Sequence, residues 1–180
     1  KKFKIEISIL IILLINIFIS NKIDYVFYNF FNNFSKSFQD FYLKDFFKQI
    51  TVLGDSKWYF LLALLAIIFC HFVKKVNFYN NKNNIIKIFN NFSIFLVLSL
   101  ITTGFLTQLL KHIIGRPRPN YTSLNDGFGF DFFNLNSEFH SFPSGHTSTI
   151  FVVTLVIILF LPKLKYFLII LAAIIAFSRI

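Results

Sequence analysis

Apolar runs separated by short polar stretches set the pattern of this chain, and the pattern reads as a series of membrane-crossing helices. Residues 5–20, rich in Ile and Leu behind Lys1, Lys2 and Lys4, form the first. Asn21, Lys22, Ile23 and Asp24 follow with no small-residue cleavage site, so a transmembrane helix fits better than a secretory signal. Residues 24–50 have a different period. Phe27, Phe30, Phe31, Phe34, Phe38, Phe41 and Tyr42 share one face at helical spacing, with Asn29, Asn32, Asn33, Lys36 and Asp40 on the other. That pattern predicts an amphipathic helix, lying in the membrane interface or packed on the bundle. A second span runs from residue 55 or 58 to 73, a third from 92 to 114, a fourth from 147 to 161 and a fifth from 166 to 178. Gly115 and Pro117 close the third, and Pro162 closes the fourth.

The expected fold class is therefore all-α and integral to a membrane, a single domain over residues 1–180. Composition agrees: 56% of residues are hydrophobic, against about 45–50% in a soluble domain. The net charge of +10 would suggest a nucleic-acid partner in a soluble protein. Here the basic residues sit in short loops, where they set orientation, and nucleic acid is set aside. The N-terminus carries three Lys against one Glu, residues 74–93 four Lys and residues 162–165 two. The opposite loops are more balanced. Residues 21–57 hold five Lys against four Asp, and residues 112–143 two Arg against two Asp and one Glu. The first set is expected in the cytoplasm. That places residues 111–146 on the outer or periplasmic face of a cell membrane, and Ser178 with Arg179 on the same face. Cys70 is the one cysteine, which excludes an intrachain disulfide, and its apolar setting predicts packing. Met is absent and the chain stops inside an apolar helix, so a longer natural chain is expected.

The chemistry concentrates between Lys111 and His146. Lys111 falls in the last turn of the third span, where a cation suits the helix C-terminus. Arg118 follows after the turn at Gly115 and Pro117, and Pro119 stiffens that turn. A Lys from a helix end and an Arg from a rigid loop can converge on one anion. Pro143, Ser144, Gly145 and His146 then open the fourth span. Ser144 suits an N-cap, and Gly145 lets an anion approach the backbone of a helix N-terminus. Capping accounts for Ser144 but not for His146 beside two cations. Cations and a helix start disfavour imidazolium while a bound phosphate favours it, so His146 is expected to be a competent acid mainly with substrate present.

Together these residues resemble the type-2 phosphatidic acid phosphatase (PAP2) family, the membrane relatives of vanadium haloperoxidases. The family's first motif is Lys, six residues, then Arg-Pro, matched by Lys111 through Arg118 and Pro119. Its second, Pro-Ser-Gly-His, is matched without change by residues 143–146. Its third starts Ser-Arg, as Ser178 and Arg179 do, and continues to a His and an Asp that would lie beyond Ile180. The resemblance covers about residues 94–180 and implies a sixth span after the five visible ones. It implies that Lys111, Arg118 and Arg179 hold the phosphate oxygens, with hydrogen bonds from Ser144 and the Gly145 N–H. It further implies that the third-motif His attacks phosphorus to give a phosphohistidine, and that His146 protonates the leaving alcohol. The implied reaction uses no metal and no cofactor. Asp126, Asp131 and Glu138 share the outer loop, but their spacing fits no metal site and suits turns.

The implied substrate is a lipid phosphate reached from the surrounding membrane lipids: phosphatidic acid, phosphatidylglycerol phosphate, an isoprenyl diphosphate or a lipid A phosphate. The Phe-rich helix at 27–42 is a candidate lining for the lipid's way in. Two other readings stay open, a phosphotransferase of the same fold and a non-catalytic lipid-phosphate binder. A transporter is disfavoured because the spans read as almost purely apolar.

Overall fold

The computed structural model describes residues 7, 26, 29, 30, 41–75, 83–118 and 130–178. The first span and most of the Phe-rich helix lie outside the described residues, apart from isolated helical positions at Ile7, Val26, Asn29 and Phe30. All regular structure among the described residues is helical: α1 (Phe41–Thr51), α2 (Ser56–Lys75), α3 (Asn83–Ile114), α4 (Gly145–Phe160) and α5 (Lys165–Phe177). Short 3-10 turns at Val52–Gly54, Ser137–Phe139 and Pro162–Leu164 join them.

Local chemistry sets the boundaries. Asp55 caps α2, its Oδ1 accepting from the Lys57 N–H at 3.2 Å, and Lys74 and Lys75 sit in the last turn against the helix dipole. α3 starts at Asn83, not at Phe92 as the polar residues before Phe92 predicted. Ile86, Asn90 and Ser93 continue one inward face at helical spacing, and the Cys70 thiol reaches the Ile86 carbonyl. Tertiary packing on α2 thus carries the helix into a polar stretch. α4 and α5 fall within two residues of the expected fourth and fifth spans.

α2 packs on α3, α3 on α4, and α4 on α5. One core joins Ala63 of α2, Leu96 and Leu100 of α3, and Val153 and Val156 of α4. A second joins Ile150 of α4 to Ala172 and Ile175 of α5. Small or polar side chains fill the tightest places: Ser93, Thr154, Ala172 and Cys70 are all buried. Ser93 donates to the Phe89 carbonyl at 3.0 Å, so its hydroxyl is satisfied within its own helix. Small and hydroxyl-bearing contacts of this kind are the ones helices use where lipid surrounds them.

The outward faces carry the large apolar residues. Leu61, Leu62, Leu65, Ile68, Phe69 and Phe72 of α2 are all exposed, a continuous surface that water would not tolerate. α2 and residues Asn84–Ile114 of α3 are each long and apolar enough to cross a bilayer. α4, at 16 residues, and α5, at 13, are apolar but shorter than a full crossing.

Candidate active site

α3 ends and α4 begins at the same end of the bundle, and the site lies between them. Gly115 stops α3 with φ +56° while its N–H still bonds the Lys111 carbonyl at 3.0 Å. The chain returns directly over this stop. The Asp131 N–H donates to the Gly115 carbonyl at 2.9 Å, and the Phe133 N–H to the Ile113 carbonyl at 3.2 Å. Further out, the Arg118 N–H donates to the Glu138 carbonyl at 2.8 Å. The Ser141 hydroxyl reaches the carbonyls of Arg116 and Pro117, both at 2.9 Å. Arg116 and His140 pair there as an isolated parallel bridge. The turn after α3 and the segment before α4 are therefore laced into one outer layer.

Two histidines brace that layer. His140 is buried and its Nε2 lies 3.0 Å from the Asn134 carbonyl. His112 turns Nδ1 to the Gln108 carbonyl at 2.8 Å, and the two rings stand 4.3 Å apart. Both rings are thus engaged within this layer, and neither lines the cavity that Lys111 and His146 line.

Ser144 takes extended backbone angles and accepts from the Thr147 N–H at 3.4 Å, so it caps α4. Its hydroxyl hydrogen remains available to donate. Lys111 crosses the gap from α3: a Cβ built on Gly145 would lie 3.9 Å from Lys111 Nζ. An ammonium thus meets a helix N-terminus whose first N–H groups have no partner inside the helix. Both features favour an anion. Lys111, Gly145 and His146 line one cavity of about 230 Å³.

The remaining expected residues are placed differently. Arg118 is exposed and is not among the residues that line the cavity; its N–H is the one held by the Glu138 carbonyl. Arg179 lies outside the described residues. Ser178, just before it, is at the end of α5 and shares a 2.7 Å hydrogen bond with Thr51. Thr51 leads into the Val52–Gly54 turn, and Gly54 packs directly on His146. The start of the third motif therefore lies at the same end of the bundle as the second.

The cavity also holds residues that motif reading passed over. Thr103, Thr107, Gln108 and Lys111 follow one another along α3 at helical spacing and all line it. Ser148 and Thr149 face them from α4, while Phe60 and Leu100 supply apolar lining. Polar side chains inside an apolar span mark a working interior, and this stripe was visible in the sequence. Gly54, Asp55 and Ser56, at the start of α2, complete the wall. Among the described residues no three His, Cys, Asp or Glu side chains cluster as metal ligands.

Residues 92–180 match the model of the PAP2 superfamily. The chain is 41% identical over 56 residues to a lipid A 1-phosphatase of Rhizobium johnstonii, covering 31% of this chain and 23% of that protein. It is 39% identical over 56 residues to a lipid A 1-phosphatase of Rhizobium etli, covering 31% of this chain and 24% of the relative. The chain thus spans about a quarter of the length of the curated relatives it matches. No solved structure matches. The Lys-to-helix anion cradle and the Pro-Ser-Gly-His histidine both lie within residues 92–180, the segment over which this chain matches the PAP2 superfamily.

Proposed function

We propose that the full-length protein is a membrane lipid phosphatase that cleaves a phosphomonoester or diphosphate of a lipid through a phosphohistidine. The observation that carries this reading is the meeting of Lys111 Nζ with Gly145 in the cavity that His146 lines. The ammonium and the first N–H groups of α4 hold the phosphoryl oxygens and stabilise the charge that builds in the transition state. Ser144 adds a hydrogen bond from its hydroxyl. His146, in the first turn of α4, gives its proton to the leaving alcohol. Arg118 swings in from the rim and Arg179 follows Ser178, each adding a guanidinium to the anion. The nucleophilic histidine comes from the remainder of the third motif. Water then attacks the phosphohistidine and releases phosphate.

A lipid A phosphate is the favoured substrate. Both relatives carry that activity in their names, and the polar wall from Thr103 to Lys111 suits a hydroxyl-bearing group next to the phosphate. The bundle has six crossings in the inner or plasma membrane, and the cavity opens outward.

Phosphate release by the full-length protein tests this. The substrates are phosphatidic acid, phosphatidylglycerol phosphate, an isoprenyl diphosphate and lipid A 1-phosphate. Release is expected, fastest from the lipid A phosphate. Lys111→Met is expected to lower kcat about 100-fold or more, the usual cost of losing one preorganised transition-state contact. Phosphate binding without turnover on any substrate would instead mark a non-catalytic binder.

A further inference from the structure

The turn before α2 lies outside the segment matched to the superfamily, yet it touches the site at its most sensitive point. Gly54 is buried, and a Cβ built on it would stand 2.8 Å from the Cβ of His146. It would also stand 3.2 Å from both the ring Cδ2 and the carbonyl oxygen of His146. These neighbours are the stiff base of a side chain and a helix backbone, so no rotamer change relieves the contact. Gly54 has no left-handed φ, so this position needs the missing side chain and not backbone freedom.

The turn is itself fixed on three sides. The Asp55 N–H closes it on the Val52 carbonyl at 3.0 Å. The Tyr59 hydroxyl donates to the Leu53 carbonyl at 2.6 Å. The Ser178 hydroxyl donates to the Ile175 carbonyl at 2.6 Å, which leaves its oxygen to accept from Thr51 at 2.7 Å. The corner is thus a rigid piece between the start of α4 and the end of α5.

We propose that this corner is a positioning element: Gly54 seats His146 against the cavity, and the Thr51–Ser178 hydrogen bond ties that seat to the start of the third motif. The proposal rests on the reading of His146 as the acid. A proton donor must keep its place within about half an ångström, and a displacement of about 1 Å can cost on the order of 100-fold. Neither Gly54 nor Thr51 needs to touch the substrate.

The test uses the full-length protein in detergent–lipid micelles with Gly54→Ala, Thr51→Val, Thr51→Ser and His146→Ala. Gly54→Ala is expected to lower kcat by about 10- to 100-fold with KM changed less than about twofold, as misplacement of an acid requires. Thr51→Val, which keeps shape and loses the hydroxyl, should lower kcat in the same sense, and Thr51→Ser should restore it. Histidine ring resonances give a readout independent of turnover, with His146 assigned by its loss in His146→Ala. Gly54→Ala and Thr51→Val should move the His146 peak and leave those of His112 and His140 in place. Should Gly54→Ala fail to fold, the two Thr51 variants decide. An unmoved His146 peak, or normal kcat in Gly54→Ala while His146→Ala is inactive, overturns the positioning claim. A wild-type protein with no turnover on any phosphate ester overturns the acid reading instead, and the resonances still judge the corner.

Discussion

His146→Ala is expected to lower kcat on a lipid phosphate by about 100- to 10,000-fold, the range that a positioned general acid contributes. The reason lies in the leaving group. An alkoxide is a poor one, and the first turn of α4 brings an imidazole to the cavity that Lys111 and Gly145 also line, where the proposed function sets the phosphoryl oxygens. The loss should depend on substrate. With p-nitrophenyl phosphate the departing phenolate needs no proton, so the same substitution should cost far less. Steady-state rates of both proteins on both esters make the comparison. Equal losses on the two would assign His146 to binding the anion and not to protonating the alcohol.

Gly115→Ala is expected to dislodge the outer layer that holds the site. A non-glycine residue in the left-handed region costs about 1–3 kcal/mol. The larger cost is space: a Cβ there would lie 1.6 Å from the Asp131 carbonyl oxygen. That neighbour is backbone, so the return segment must come away and lose its bonds to Gly115 and Ile113. The result expected is a clear fall in thermal stability in detergent, together with loss of phosphatase activity. Gly115→Asn separates the two causes, because Asn tolerates left-handed φ but still carries a Cβ. Asn should do no better than Ala in a melting experiment. Recovery with Asn would show that backbone angle, and not close approach, is what Gly115 supplies.

Much of this was legible in the residues. Apolar runs bounded by Gly, Pro and Lys gave α2, α4 and α5 nearly residue for residue, because turn chemistry and membrane length both act locally. The start of α3 is not legible, because Asn and Lys before Phe92 look like a loop. The helix continues there because one inward face, Ile86 to Ser93, packs on α2, and that is a tertiary effect. At the site, residue chemistry and motif spacing single out Lys111 and residues 143–146, and of these the structure brings Lys111, Gly145 and His146 to one cavity. The exposure of Arg118 away from the cavity lining is not legible there, since a stiff turn says that the backbone is fixed and not where the side chain points. The Thr103, Thr107 and Gln108 stripe has helical spacing but is faint against a strongly apolar background. Gly54 left no signal at all. Its contribution is an empty volume opposite a residue 92 positions later, and only the assembled bundle reveals it.

The burial of Cys70, at 1% exposure, has a practical consequence. The chain's single thiol is sealed between α2 and α3, so its outer surface is silent toward maleimides. Among these 180 residues, a cysteine put at Leu135, 81% exposed in the layer over the cavity, would then be the one accessible thiol, as would one at Lys163 in the opposite loop. A membrane-impermeant reagent given to intact cells would tag the first and spare the second if the cavity looks outward, and would do the reverse if it looks in.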